Sequence, residues 1–137
     1  MMLLAIVTNC QAQDSLKKDR KVLEIALITT SVITSALGDG LNSRTKYESG
    51  HALAYVSVLS LIALPFVVKP TWKFPVTYIL IRYALFDAFY NIGANRKLTY
   101  IGGKNFYDET TGRVPLGVLN ATKIASIGIV IYINAKK

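Results

Sequence analysis

The chain is poor in the residues that carry covalent and metal chemistry. Its 137 residues include one cysteine, Cys10, and one histidine, His51. A lone cysteine excludes an internal disulfide and says nothing more about compartment. One histidine leaves no HExxH pair and one cysteine no CxxC pair, so the common zinc frameworks are excluded. No serine stands in a GxSxG elbow. Gly102-Gly103-Lys104 has too few glycines for a phosphate loop and follows no strand. There is no internal repeat and no low-complexity segment. Acidic residues are also scarce, 8 against 16 lysines and arginines, for a net charge of +8.

Such an excess marks a nucleic-acid binder when the basic residues form one stripe with interleaved aromatics. They do not. Lys17/Lys18/Arg20/Lys21, Arg44/Lys46, Lys69/Lys73, Arg96/Lys97 and Lys136/Lys137 sit in small groups beside apolar blocks. Lysine and arginine in those places anchor helix ends and touch anionic head groups. The partners this implies are membrane lipids, with no nucleic acid.

What the chain has in abundance is long apolar sequence. It is 52% hydrophobic with a mean hydropathy of +0.37. A soluble domain would spread these residues with regular polar relief. They are gathered instead into four blocks, from about Val22 to Leu41, His51 to Val68, Phe74 to Ala94 and Pro115 to Asn134. Each is near the roughly 20 residues that span a bilayer as a helix. Spanning β-strands are half as long and alternate, and these do not. Backbone groups in lipid must pair internally, so helices follow. The expected fold is all-α, a four-helix up-down transmembrane bundle. Asp39-Gly40 and Ser49-Gly50 read as brackets of a short loop. Lys69-Pro70-Thr71-Trp72-Lys73 reads as a tight turn with an interfacial tryptophan. Asn95 to Val114 is the longest loop, punctuated by Gly102-Gly103 and Thr111-Gly112, with Tyr100, Phe106 and Tyr107 as belt aromatics. Small residues four apart, Ser31/Ser35 and Ala121/Ala125 with Gly128 nearby, suit close helix packing.

Residues 1–13 read as a signal peptide or a short apolar N-terminus, and 14–137 as a single membrane domain. Cys10 and Ala12 have the small-residue spacing of a peptidase site, although a positive n-region is missing. An acylated Cys10 is disfavoured by Asn9 before it. Alternating topology puts Lys17, Lys18, Arg20, Lys21, Lys69, Lys73, Lys136 and Lys137 on one side of the membrane and Arg44, Lys46, Arg96, Lys97, Lys104 and Arg113 on the other. That favours a cytoplasmic N-terminal side, whereas a cleaved signal peptide would put it outside.

The most informative residue is Asp87, a carboxylate within block three. In hydrocarbon it costs roughly 2.5–3.5 kcal/mol even on the lenient insertion scale, so it needs a partner. Tyr83, Asp87 and Asn91 are spaced by four and Tyr90 falls beside them, which makes one helical stripe. The end of helix one brings Asp39 and Asn42 to the same half of the bundle. His51 and Tyr55 come from helix two, and Asn120 and Lys123 from helix four. The candidate cluster is therefore Asp39, His51, Tyr83, Asp87, Asn91 and Lys123. The structural expectation is an Asp87–Lys123 pair. Arg82, about 140° from Asp87 around the helix, is expected to snorkel or reach another helix. The sharper expectation is a divalent-metal site from Asp39, His51 and Asp87, with Asn91 near, activating water against a lipid ester or phosphate. A proton or ion path through the same residues is a third.

The run Arg82-Tyr83-Ala84-Leu85-Phe86-Asp87-Ala88-Phe89-Tyr90-Asn91, followed by Tyr100-Ile101-Gly102 and Asp108, resembles a pattern in small uncharacterised polytopic membrane proteins of Bacteroidota and their phages. The Gln-Ala-Gln ending at 11–13 is similar to signal peptides of that group. The resemblance covers Arg82 to Asp108 and brings no activity, so it assigns no functional residue. The functional expectation is a small integral protein of the bacterial inner membrane, structural or interacting in role, with a holin-like accessory as one form of it. A second copy or another membrane protein is its expected partner, and no cofactor is implied. The rival is an intramembrane metal-dependent hydrolase or ion- or proton-binding protein using Asp39, His51, Asp87 and Asn91.

Overall fold

The computed structural model describes residues 2–68, 71–101 and 112–135, with side chains from residue 19 onward. The chain is all-α. Among the described residues there are four helices, α1 (Met2–Asn42), α2 (Tyr47–Val67), α3 (Lys73–Gly93) and α4 (Leu116–Ala135). Three segments are long and apolar enough to cross a membrane: Asp19–Asn42 of α1, α2 and α4. The expected fourth is the difference. α3 has the length, at 21 residues, but Lys73, Arg82, Asp87 and its tyrosines dilute its apolar character. It is also the helix that packs on both α1 and α4, so part of its polar content faces protein.

α1 and α3 are the inner helices. α2 packs on α1 and α4 on α3. The core is narrow. Ile28, Val32 and Ala36, spaced by four along α1, are completely buried, and Ile28 and Val32 cluster with Leu64, Ile81 and Val130. On the outer helices Tyr55, Leu59, Ile62, Phe66, Ile124, Ile131 and Tyr132 are all more than half exposed. Apolar faces of that extent are a liability in water and ordinary in lipid. α2 in particular is apolar around its whole circumference, with Pro65 inside its last turn.

Contacts that give α1 its neighbours are built on glycine. The expected loop brackets lie inside helices: α1 continues through Asp39 and Gly40 to Asn42, and Gly50 is in the first turn of α2. A Cβ at Gly38 would lie 2.8 Å from the Gly50 carbonyl oxygen. A Cβ at Gly40 would lie 2.7 Å from the Ala94 nitrogen and 2.9 Å from the Gly93 Cα. Gly38 and Gly40 thus let one turn of α1 touch the backbones of two helices. Asn42 Oδ1 is pressed on Gly50 and has no hydrogen-bond partner among the described residues. Deeper in, the hydroxyls of Ser31 and Ser57 meet at 3.0 Å between α1 and α2.

Both turns at this end close in the same way. Lys46 N–H donates to Leu41 O and Thr45 N–H to Asn42 O, with Thr45 at φ 62°. Arg96 N–H donates to Asn91 O and Asn95 N–H to Ile92 O, with Asn95 at φ 55°. These are Schellman closures in which threonine and asparagine occupy the left-handed position that usually takes glycine.

The division expected after residue 13 falls within α1, whose backbone is helical on both sides of it. The side chains of residues 1–18, and residues 69–70, 102–111, 136 and 137, lie outside the described set. With them go the expectations for Cys10, the Lys69-Pro70 turn, Gly102-Gly103, Phe106, Tyr107 and Asp108.

Candidate functional site: a polar seam between α3 and α4

In lipid, apolar burial does not by itself drive one helix onto another, so polar contacts and close packing carry more of the association. α4 is joined to α3 by a row of them. Lys123 Nζ donates to Asp87 Oδ2 at 2.7 Å. One turn along α3, the Tyr83 and Thr122 hydroxyls are 2.8 Å apart. Toward the other end, Asn134 Nδ2 donates to Thr77 Oγ1 at 3.2 Å and to Val130 O at 2.9 Å. Lys73 Nζ donates to Ile133 O at 2.9 Å. Lys21 of α1 donates to Asn134 O at 3.0 Å. Two ammonium groups therefore meet the C-terminal carbonyls of α4, where the helix dipole is negative.

The antiparallel pairing explains the geometry. Thr77 near the start of α3 meets Asn134 near the end of α4, while Tyr83 and Asp87 farther along α3 meet Thr122 and Lys123 in the first half of α4. The expected partner of Asp87 is thus present, and the pair is partly covered, with 17% of the Lys123 and 28% of the Asp87 side chain exposed.

The remaining cluster members separate. Asn91 is 2% exposed, yet its Nδ2 donates to Leu98 O at 3.2 Å and to Tyr100 O at 2.9 Å, so it holds the segment after α3. Asp39 and His51 are exposed. Among the described residues no group of three or more His, Cys, Asp or Glu is placed to hold a metal ion. The expected Asp39–His51–Asp87 site is therefore not formed. The reason is rotational. Gly38 and Gly40 take the two packed faces of α1 and turn Asp39 outward. Gly50 and Ser57 take the packed face of α2 and leave His51 outside. Asp87 faces α4, away from both.

Arg82 has a neighbour on its own helix. Its guanidinium lies 4.1 Å from the centroid of the Phe86 ring, one turn along the same helix. Phe86 stacks with Tyr90 at 6.3 Å between centroids, and Arg96 covers Tyr90 and Tyr100. Of the small residues expected to pack, Ser31 does, whereas Ala121, Ala125 and Gly128 are exposed and a Cβ at Gly128 would meet nothing within 4 Å.

One buried charge was not anticipated. Glu24 is 8% exposed on α1. It lines a half-open cleft of about 240 Å³ with Leu61, Leu64, Pro65, Val68 and Phe74. It lies three residues after Lys21, near the start of the first apolar block, where nothing in the sequence singles it out. Only the packing of α2 and α3 over it makes it an interior charge.

Comparison with protein-family models, curated proteins and solved structures found no match for this chain.

Proposed function

We propose that this chain is a small integral membrane protein of structural or interaction type, resident in the bacterial inner membrane. Its polar seam fastens α4 to the α1–α3 pair, and the outer faces of α2 and α4 meet lipid and a partner, either a second copy or another membrane protein. The observation that carries this reading is the 2.7 Å Lys123–Asp87 contact. It gives the intramembrane carboxylate an ordinary structural partner, and it turns Asp87 away from the residues a hydrolytic centre would need.

The test places a photo-crosslinking residue at Phe66 of α2 or Ile124 of α4, both exposed, in the full chain in native membranes. A discrete product containing a second copy or one membrane protein supports the reading. Lipid adducts alone from both faces would reject the interaction role. A reconstituted protein that hydrolyses phospholipid, and loses that activity in a folded Asp87→Asn variant, would replace it with the enzymatic one.

A further inference from the structure

Glu24 is more than nine-tenths buried, and among the described residues it has no hydrogen bond and no ion pair within 4 Å. The charges that act on it are Lys21 and Lys73. Both of these direct an N–H elsewhere, to the carbonyls of Asn134 and Ile133 at the end of α4. The carboxylate instead lines the apolar cleft between the middle of α1, the end of α2 and the start of α3. A carboxylate that faces an apolar cleft without a donor is poorly solvated, and its opening to the cleft leaves room for a donor from outside the chain.

A second acceptor belongs to the α2 wall of the cleft. Pro65, inside α2, has no N–H to give to the carbonyl four residues before it, which belongs to Leu61. Leu61 and Pro65 both line the cleft. The stretch of α2 that carries this carbonyl thus borders the Glu24 cleft, whose remaining walls are Leu64, Val68 and Phe74. A hard divalent cation needs six or more oxygen ligands, far more than one carboxylate and one carbonyl. An ammonium group carries N–H donors and a positive charge, and the apolar walls suit an alkyl chain attached to it. The cleft volume of about 240 Å³ is below that of most drug-sized sites, which suits one chain segment.

We propose that the Glu24 cleft binds an amphiphile with an ammonium head and an alkyl chain. The ammonium donates to the Glu24 carboxylate and the Leu61 carbonyl, and the chain lies against Leu64, Val68 and Phe74. The site is separate from the α3–α4 seam and stands or falls independently of the partner proposed above. The same chemistry is offered by a phosphatidylethanolamine head group and by a free alkylamine. The lipid adds a phosphate, for which Lys21 lies one turn away on α1.

Native mass spectrometry of the full chain in detergent tests this, with phosphatidylethanolamine, phosphatidylcholine and octylamine as probes. The wild type is expected to retain one phosphatidylethanolamine or octylamine in preference to phosphatidylcholine, whose head has no N–H. Glu24→Gln keeps shape but loses charge, and should bind about tenfold more weakly. Leu61→Trp should block the cleft with Glu24 intact. Helical circular dichroism of each variant shows that it remains folded. Retention of the lipid that octylamine does not displace identifies the head group with its phosphate as the ligand, and displacement identifies the ammonium alone. Equal retention of the two phospholipids, retention of none of the three probes, or wild-type binding by both folded variants would overturn the proposal.

Discussion

Lys123 of α4 and Asp87 of α3 meet at 2.7 Å, one turn along α3 from the Tyr83–Thr122 hydroxyl contact. Removing one partner leaves the other charge without its counterion. Lys123→Met is therefore expected to destabilise the protein more than the double change Lys123→Met with Asp87→Leu. The single-variant loss should fall between the ~0–1 kcal/mol of an exposed pair and the ~3–5 kcal/mol of breaking a buried one, because the pair is partly covered. Equilibrium unfolding in detergent across the double-mutant cycle measures it. Equal losses in the single and double variants would mean that the pair contributes nothing specific.

Glycines on α1 and α4 should respond in opposite directions. Gly40→Ala puts a methyl against the backbone of Gly93 and Ala94, where no side chain is available to move aside. A cost of about 1–3 kcal/mol is expected, with α1 and α3 pushed apart. Gly128→Ala enters open space and should gain up to about 1 kcal/mol of helix propensity. Thermal unfolding of the two variants side by side checks the contrast.

Thr45 holds φ 62° at the close of α1, a conformation that a β-branched residue tolerates poorly. Thr45→Gly is expected to raise stability by about 1 kcal/mol despite removing a side chain. The same change at Asn95 should give less, since asparagine enters this region more readily. A lower unfolding midpoint for Thr45→Gly would count against the Schellman assignment.

Asn91 joins α3 to the segment that follows it through two carbonyls, Leu98 O and Tyr100 O. Asn91→Ala should release that segment at a cost of about 1–3 kcal/mol, the value of two hydrogen bonds. Hydrogen exchange should quicken at residues 96–101 and remain unchanged at the Ser31–Ser57 crossing. Unaltered exchange at 96–101 would assign the ordering of the segment to Arg96 and its two tyrosine rings instead.

The apolar blocks were enough to read the four described helices, three of which have segments long and apolar enough to cross a membrane. The cost of an isolated carboxylate in hydrocarbon was enough to name Lys123 as the partner of Asp87. Those inferences rest on length, on hydropathy and on local desolvation, which are properties of the chain alone. Which way each polar residue faces was not legible. α2 is apolar all round, so nothing in its sequence marks the side that meets α1, and His51 read as inward when it is outward. Asp39-Gly40 looked like a loop signal, whereas Gly38 and Gly40 on either side of Asp39 are the backbone contacts of α1 with α2 and α3. Glu24 lies within the first apolar block with no signal of its own, and the packing of α2 and α3 over it made it an interior residue. Composition determined the solvent and the element type. The rotation and lateral order of the helices, set by glycine contacts and a few interhelical hydrogen bonds, decided that Asp87 is paired, that Asp39 and His51 stand apart from it, and that Glu24 is the buried carboxylate left without a partner among the described residues.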